Sequence, residues 1–562
     1  MQKVDFEKQF QEYENFSLFN LGKPDWKRFR AFFDHLIPSL IILQITKNQK
    51  FKVYSVSDKE QVLYLCKYLE KLQVTHILVE KYYIDRIYIN DFTEYHLTAF
   101  PHYKKTCSRL HFFAFDKKDI DAKKFLNKFI ITRDPKLHEE FKDHYRGFSV
   151  IKPLPNIFIG RTCVVPPSDS VFFLRRYSAN IFGRNLEIKS LVFQEQDPTV
   201  GACASISLWS ALHCSSEIFN NITIPSPSQI TKIAESLAPT THRIYPSHGL
   251  NAIQMVSVIK HAGLAPEYLD LYHPVFQTNL KSIIYGYCSL HVPGILLVYL
   301  RSRDSQKENR YHTPDHAIVI TGFNMMSQDA MNQDEKFQKR ANKITSLYIH
   351  DDNGGPFLDC EISNENQKFN DKNISMNILK IKRYCNTQYL EGWDEENKEG
   401  YEIAEICGII FPLYKKIRID LSTILLFMTR INTILNNYLR SNKPAKKIEW
   451  DIHLTTVNKY KDFLNKQDFN KEIKQKLLLG NFPRFMWRCT GYIDNGIFID
   501  VLFDATDLLN ALYINEIYFY NDFNLKRFSV FLNKEKEGIL KILESKTHYV
   551  ILKDKISKWL EY

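Results

Sequence analysis

Apolar residues at Val62, Leu63, Leu65, Leu69 and Leu72 recur with a helical period, which predicts a helix over residues 61–72. Short bounded runs follow at Thr75-His-Ile-Leu-Val-Glu and Leu110-His-Phe-Phe-Ala-Phe, and both read as strands. After residue 150 the pattern turns toward strand-like runs, with Pro153, Pro155, Pro166 and Pro167 at the transition. The segment opened by Cys203 is apolar on nearly every side (Ala204, Ile206, Leu208, Trp209, Ala211, Leu212), the signature of a central, buried helix. A second helix is expected over 251–261, stopped by Gly263. Strands are expected at Gly294-Ile-Leu-Leu-Val-Tyr-Leu, His316-Ala-Ile-Val-Ile-Thr-Gly, Ser346-Leu-Tyr-Ile-His-Asp and Ile406-Cys-Gly-Ile-Ile-Phe-Pro. Residues 324–343 are polar and read as a solvated hairpin tip. Beyond them, 421–439 is helical and 441–447 reads as a linker. Asp494-Asn495-Gly496 between two apolar runs predicts a hairpin, because Asn-Gly suits the positive φ angles of a type I′ turn.

These patterns divide the chain into three regions. An N-terminal α+β region spans 1–150, a strand-rich module 151–416, and a C-terminal α+β region 417–562. A length of 562 residues fits two to four domains. The net charge of +11, spread over so long a chain, permits acidic partners without demanding them. The charge-alternating N-terminus lacks the apolar stretch of a signal peptide, and no apolar run reaches the roughly 20 residues of a membrane helix. The ten cysteines show neither Cys-x-x-Cys nor zinc spacing, so reduced thiols in the cytoplasm are expected. The Lys, Asn and Ile richness matches an AT-rich bacterial genome, and export as an effector is compatible with it. Basic and aromatic residues mix at Lys81-Tyr-Tyr-Ile-Asp-Arg and His102-Tyr-Lys-Lys. Acidic residues interrupt the mixture, so a solvated surface is expected there rather than a nucleic-acid site.

The candidate chemistry centres on Cys203. A helix N-terminus favours a thiolate, Gly201 leaves room for a substrate backbone, and Gln196 can donate to a developing oxyanion. One antiparallel register that pairs His316 with Asp351 also pairs Gly322 with Thr345. It sets a histidine and a carboxylate side by side at one end of a hairpin. Asp351 would orient His316, and His316 would deprotonate Cys203 and then protonate the leaving group. In a regular strand Asp351 and Asp352 point to opposite faces, so only one can serve, and the register favours Asp351. The run Asp351-Asp-Asn-Gly-Gly-Pro fails the calcium-loop pattern at Gly355 and Pro356, so neither metal nor cofactor is expected.

The order Gln196, Cys203, His316, Asp351 resembles the papain superfamily. The closest pattern is that of the double-glycine leader peptidases and their stand-alone relatives, with Gly249-Leu250 and Pro293 before Ile295 at the matching intermediate positions. The resemblance covers roughly residues 190–416. It implies an α+β papain-like module, a central buried helix packed on an antiparallel sheet, that hydrolyses a protein or peptide substrate through a thioester on Cys203. The same triad also serves deamidation, deubiquitination or acyl transfer, and the fold can persist as a silent interaction scaffold. Gln196 lies seven residues before Cys203, one more than the pattern's usual spacing. Either a one-residue bulge absorbs the difference or Gln194 takes the role. The longer His316-to-Asp351 separation is explained by the 324–343 insertion.

Overall fold

The computed structural model describes residues 10–557, apart from 13, 23, 37–41, 46–50, 55, 116–134, 169, 198, 220–221, 302–312, 327–336, 370–371, 385–389, 395–398, 441–446, 469–470, 508–513 and 521–524. Most of the linker expected over 441–447 therefore lies outside the described residues. Helices and strands mix throughout, which makes the protein α+β. The chain folds as two compact units. One holds Met1–Asp270, Pro293–Asn324 and Ser346–Pro412; the other holds Leu271–Val292, Met325–Thr345 and Leu413–Tyr562.

In the first unit a six-stranded antiparallel sheet runs in the order Phe10–Glu12, Phe16–Asn20, His76–Tyr83, Cys107–Phe113, Tyr145–Ile151 and Ile159–Val164. Its central strands bury both faces: Ile77, Leu78 and Val79 are buried in succession, as are Phe112 and Phe113. That is why the sequence shows continuous apolar runs there instead of strict alternation. The helix expected over 61–72 spans Glu60–Lys71, and Leu72 caps it.

The same unit contains a sheet that closes on itself. Ile295–Leu300 pairs with His316–Met325, which neighbours Ile344–Asp351. Gly355–Phe369 and Lys372–Arg383 continue the order, and Glu399–Leu413 pairs with both Lys372–Arg383 and the starting strand. Closure satisfies backbone groups that an open sheet would leave unpaired at its edges. Against this sheet lies the helix Cys203–Ile218, buried on nearly all sides. Its serines make the close packing possible. Ser207 Oγ donates to Ala317 O at 2.9 Å and Ser210 Oγ to Val192 O at 2.8 Å, so small side chains approach the neighbouring backbone without an orphaned hydroxyl. Asn251 caps the helix Ala252–His261 through a capping box with Gln254, and Gly263 at φ 88° stops it.

The second unit is built on a five-stranded sheet of Gln338–Lys339, Glu449–Thr456, Phe485–Ile493, Gly496–Asp504 and Ile514–Phe519, together with the helix Leu421–Arg440. The expected hairpin forms, but its turn sits one residue earlier than the Asn-Gly reading places it. Ile493 pairs with Gly496, and the two residues at positive φ are Asp494 (49°) and Asn495 (64°). Asn and Asp tolerate the left-handed region well enough to displace glycine from the turn centre. The described part of 324–343 also departs from the solvated-tip expectation. Gln338–Lys339 pairs in parallel with Glu449 and Trp450, and Gln338, Ala341 and Lys343 are buried. Counter-charges account for this burial: Lys343 Nζ meets Glu449 at 2.8 Å, and Arg340 Nη1 meets Asp451 at 3.3 Å. Among the described residues no helix is long and apolar enough to cross a membrane.

Candidate active site

Cys203 is the first residue of its helix, after an extended Ala202 that supplies no side-chain cap. Ser205 N–H already donates to Ala202 O at 3.0 Å, so it is the Cys203 and Ala204 N–H groups, given no side-chain cap, that face an anion at this end. Of the described cysteines Cys203 alone is partly exposed; the other eight are buried. Burial pushes several of those thiols up, Cys107 and Cys163 to about 12, which leaves them protonated and inert.

His316 opens the strand opposite Val298, fixed beside the Cys203 helix by the Ser207 bond to Ala317. Its Nε2 lies 2.8 Å from Asp351 Oδ1, with both side chains buried. That leaves Nδ1 as the nitrogen for Cys203. Burial alone would lower the His316 pKa, but Asp351 and Cys203 outweigh it and hold it well above the ordinary histidine value. Asp351 shows the opposite outcome. Burial would raise its carboxyl, yet Arg383 and His316 hold it well below the usual carboxylate range. Arg383 Nη1 stands 2.7 Å from Asp351 Oδ2, and its Nη2 lies 2.6 Å from Glu402.

Asp352 also reaches the imidazole, with Oδ1 3.5 Å from His316 Nε2. The expectation that only one aspartate could face His316 is thus corrected. The alternation rule stops at Asp351, because the pairing shifts between Ile349 and Asp351 and residues 352–354 form a turn closed by Gly354 N–H to Asp351 O at 2.9 Å. His316, Asp351 and Asp352 could by spacing hold a cation. The Arg383 guanidinium already neutralises Asp351 from its other oxygen, which weakens such a site. His350 is committed elsewhere: Nε2 meets Leu191 O at 3.0 Å, and Phe357 N–H donates to Nδ1 at 3.0 Å.

Gln196 is half-buried, and its Nε2 donates to Asn353 Oδ1 at 3.0 Å, while Asn353 N–H donates to Asp351 Oδ1 at 3.0 Å. Gln194 is buried in the interior. Between Gln196 and Cys203 the chain makes a tight loop. Val200 and Gly201 N–H both donate to Asp197 O, and a lone antiparallel bridge joins Asp197 to Gly201. That bridge brings Gln196 alongside the start of the helix. Gly201 itself has a packing reason not foreseen in the sequence: a Cβ there would lie 3.1 Å from Pro227 Cβ, so the gap it leaves faces Pro227. Gly249, at φ 88°, comes near Ala202, and Ser247 N–H donates to Thr199 O at 3.1 Å, so this segment borders the loop.

Sequence reasoning missed the braces. His96 Nε2 lies 2.9 Å from Asp197 Oδ2, and Lys59 pairs with Glu195, which also accepts from Ile159 N–H at 3.2 Å. Gln61 Nε2 donates to Asp352 O at 3.2 Å, and Tyr64 OH donates to Pro356 O at 2.6 Å. No local pattern announces such partners, which lie up to 292 residues away along the chain. The sequence matches no protein-family model and is not significantly similar to any curated protein.

Burial lowers the pKa of His350 to about 3. Its folded value lies below the ordinary ~6.5 of an unfolded chain, so its contribution to stability is complete above ~6.5 and is lost as the unfolded state takes up the proton. Resistance to urea should fall between about pH 6.5 and 3, with a shallower fall in His350→Gln. Equal slopes in the two proteins would remove His350 from that account.

Proposed function

We propose that the chain is a papain-like cysteine peptidase working through Cys203, His316 and Asp351. The observation that carries the reading is the buried, hydrogen-bonded His316–Asp351 pair set beside a partly exposed cysteine at an uncapped helix N-terminus. In this reading His316 Nδ1 takes the thiol proton, and the thiolate attacks the scissile carbonyl. The oxyanion is received by the Cys203 N–H and by the Gln196 Nε2 hydrogen not given to Asn353. Collapse breaks the C–N bond, the imidazolium protonates the departing amine, and a thioester remains. Water, deprotonated by His316, then attacks the thioester and releases the acid and the thiol.

Alkylation of the full-length protein tests the reading. Iodoacetamide should modify Cys203 at least ~10-fold faster than the other cysteines near pH 6, and His316→Ala should remove that advantage. Uniform labelling, or labelling indifferent to His316, would overturn it.

A further inference from the structure

Asp352 is a buried carboxylate with no role in the triad as described. Its side chain is 2% exposed, and beyond the residue's own N–H neither oxygen has a hydrogen-bond partner among the described residues. A small cavity beside it is lined by Ile206, Ser207, Ser210, Val319 and His350. The hydroxyls there offer no proton, since Ser207 donates to Ala317 O and Ser210 to Val192 O. The His350 nitrogens are likewise engaged by Leu191 and Phe357. Apart from the residue's own N–H, which favours the anion, these cavity groups can accept from a carboxylic acid but offer a carboxylate no donor. The charged groups facing Asp352 are His316, Asp351 and Arg383, and Arg383 is itself shared with Glu402 and Glu60.

We infer that Asp352, 3.5 Å from His316 Nε2 beside Asp351, is a second positioning carboxylate that reinforces the imidazolium on the side away from Cys203. The inference rests on the peptidase reading. At low pH Asp352 is neutral, and Asp351 alone orients the ring. As pH rises Asp352 releases its proton to solvent, and a second negative charge 3.5 Å from Nε2 makes the imidazolium harder to deprotonate. Burial and the Asp351 charge both push the Asp352 carboxyl up, while His316 opposes them.

The test compares Cys203 alkylation by anionic iodoacetate and neutral iodoacetamide across pH, because their rate ratio reports the charge on His316. In the wild type the ratio should collapse only at alkaline pH. In Asp352→Asn, which keeps the shape, the collapse should move down by about one pH unit. An unchanged midpoint, with wild-type labelling still selective for Cys203, would overturn this inference alone; loss of selectivity in the wild type would instead overturn the peptidase reading. Should Asp352→Asn not fold, ¹⁵N-histidine NMR of the wild type decides. Two steps in the His316 titration support the inference, and one step overturns it.

Discussion

A Cys203→Ala chain is expected to keep its fold and its affinity for substrate while losing hydrolysis by at least ~10⁴-fold. The loss should be this large because, in the proposed mechanism, every step after binding runs through the sulfur. Without it His316 has no nucleophile to deprotonate, and the uncapped N–H groups of the helix can polarise a carbonyl but have no attack to assist. The fold should survive because Cys203 is only partly buried at a helix end, and removing its sulfur leaves no enclosed void. Release of peptides from a denatured-protein substrate, read by mass spectrometry, measures the effect, and the inert variant also serves as a trap for bound substrate. Turnover within tenfold of wild type would place the chemistry elsewhere.

Arg383→Met should be the most damaging substitution to stability near the site, costing about 3–5 kcal/mol. Arg383 is almost fully buried and compensates three acidic groups: Asp351 at 2.7 Å, Glu402 at 2.6 Å and Glu60 at 3.9 Å. A buried ion cluster adds little net stability when complete, but removing the guanidinium leaves the fully buried Asp351 with only half of its charge compensation, that from His316. Arg383→Lys keeps the charge and loses the fork that spans Asp351 and Glu402, so its cost should fall between wild type and Met. Urea unfolding midpoints give the comparison. A Met variant as stable as the parent would mean that the acids find other compensation.

The site was legible where its determinants are local. A β-branched run beginning with histidine and another ending in aspartate suffice to suggest neighbouring strands, and a small-residue apolar segment after Gly-Ala-Cys suffices to suggest a central helix. The turn at residues 351–354 was not legible, because nothing in Asp-Asp-Asn-Gly states where strand alternation stops. Arg383, His96 and Gln61 were invisible for a different reason: each acts through a partner far along the chain, and a lone charge in a sequence carries no sign of its destination. Residues 338–343 misled because polarity was taken as exposure, whereas Lys343 and Arg340 are offset by Glu449 and Asp451.

The grip of Gln61 and Tyr64 on the turn after Asp351, with His96 on Asp197, bears on modularity. A cassette cut at residue 151 would carry Cys203, His316 and Asp351 together, yet leave behind the side chains that hold the turn after Asp351 and the loop at Asp197 in place. The cluster of Cys203, His316 and Asp351 is therefore not a portable part. Its heritable unit runs from the N-terminal sheet through the closed one, and any fusion, transplant or split of this chain has to keep that span whole.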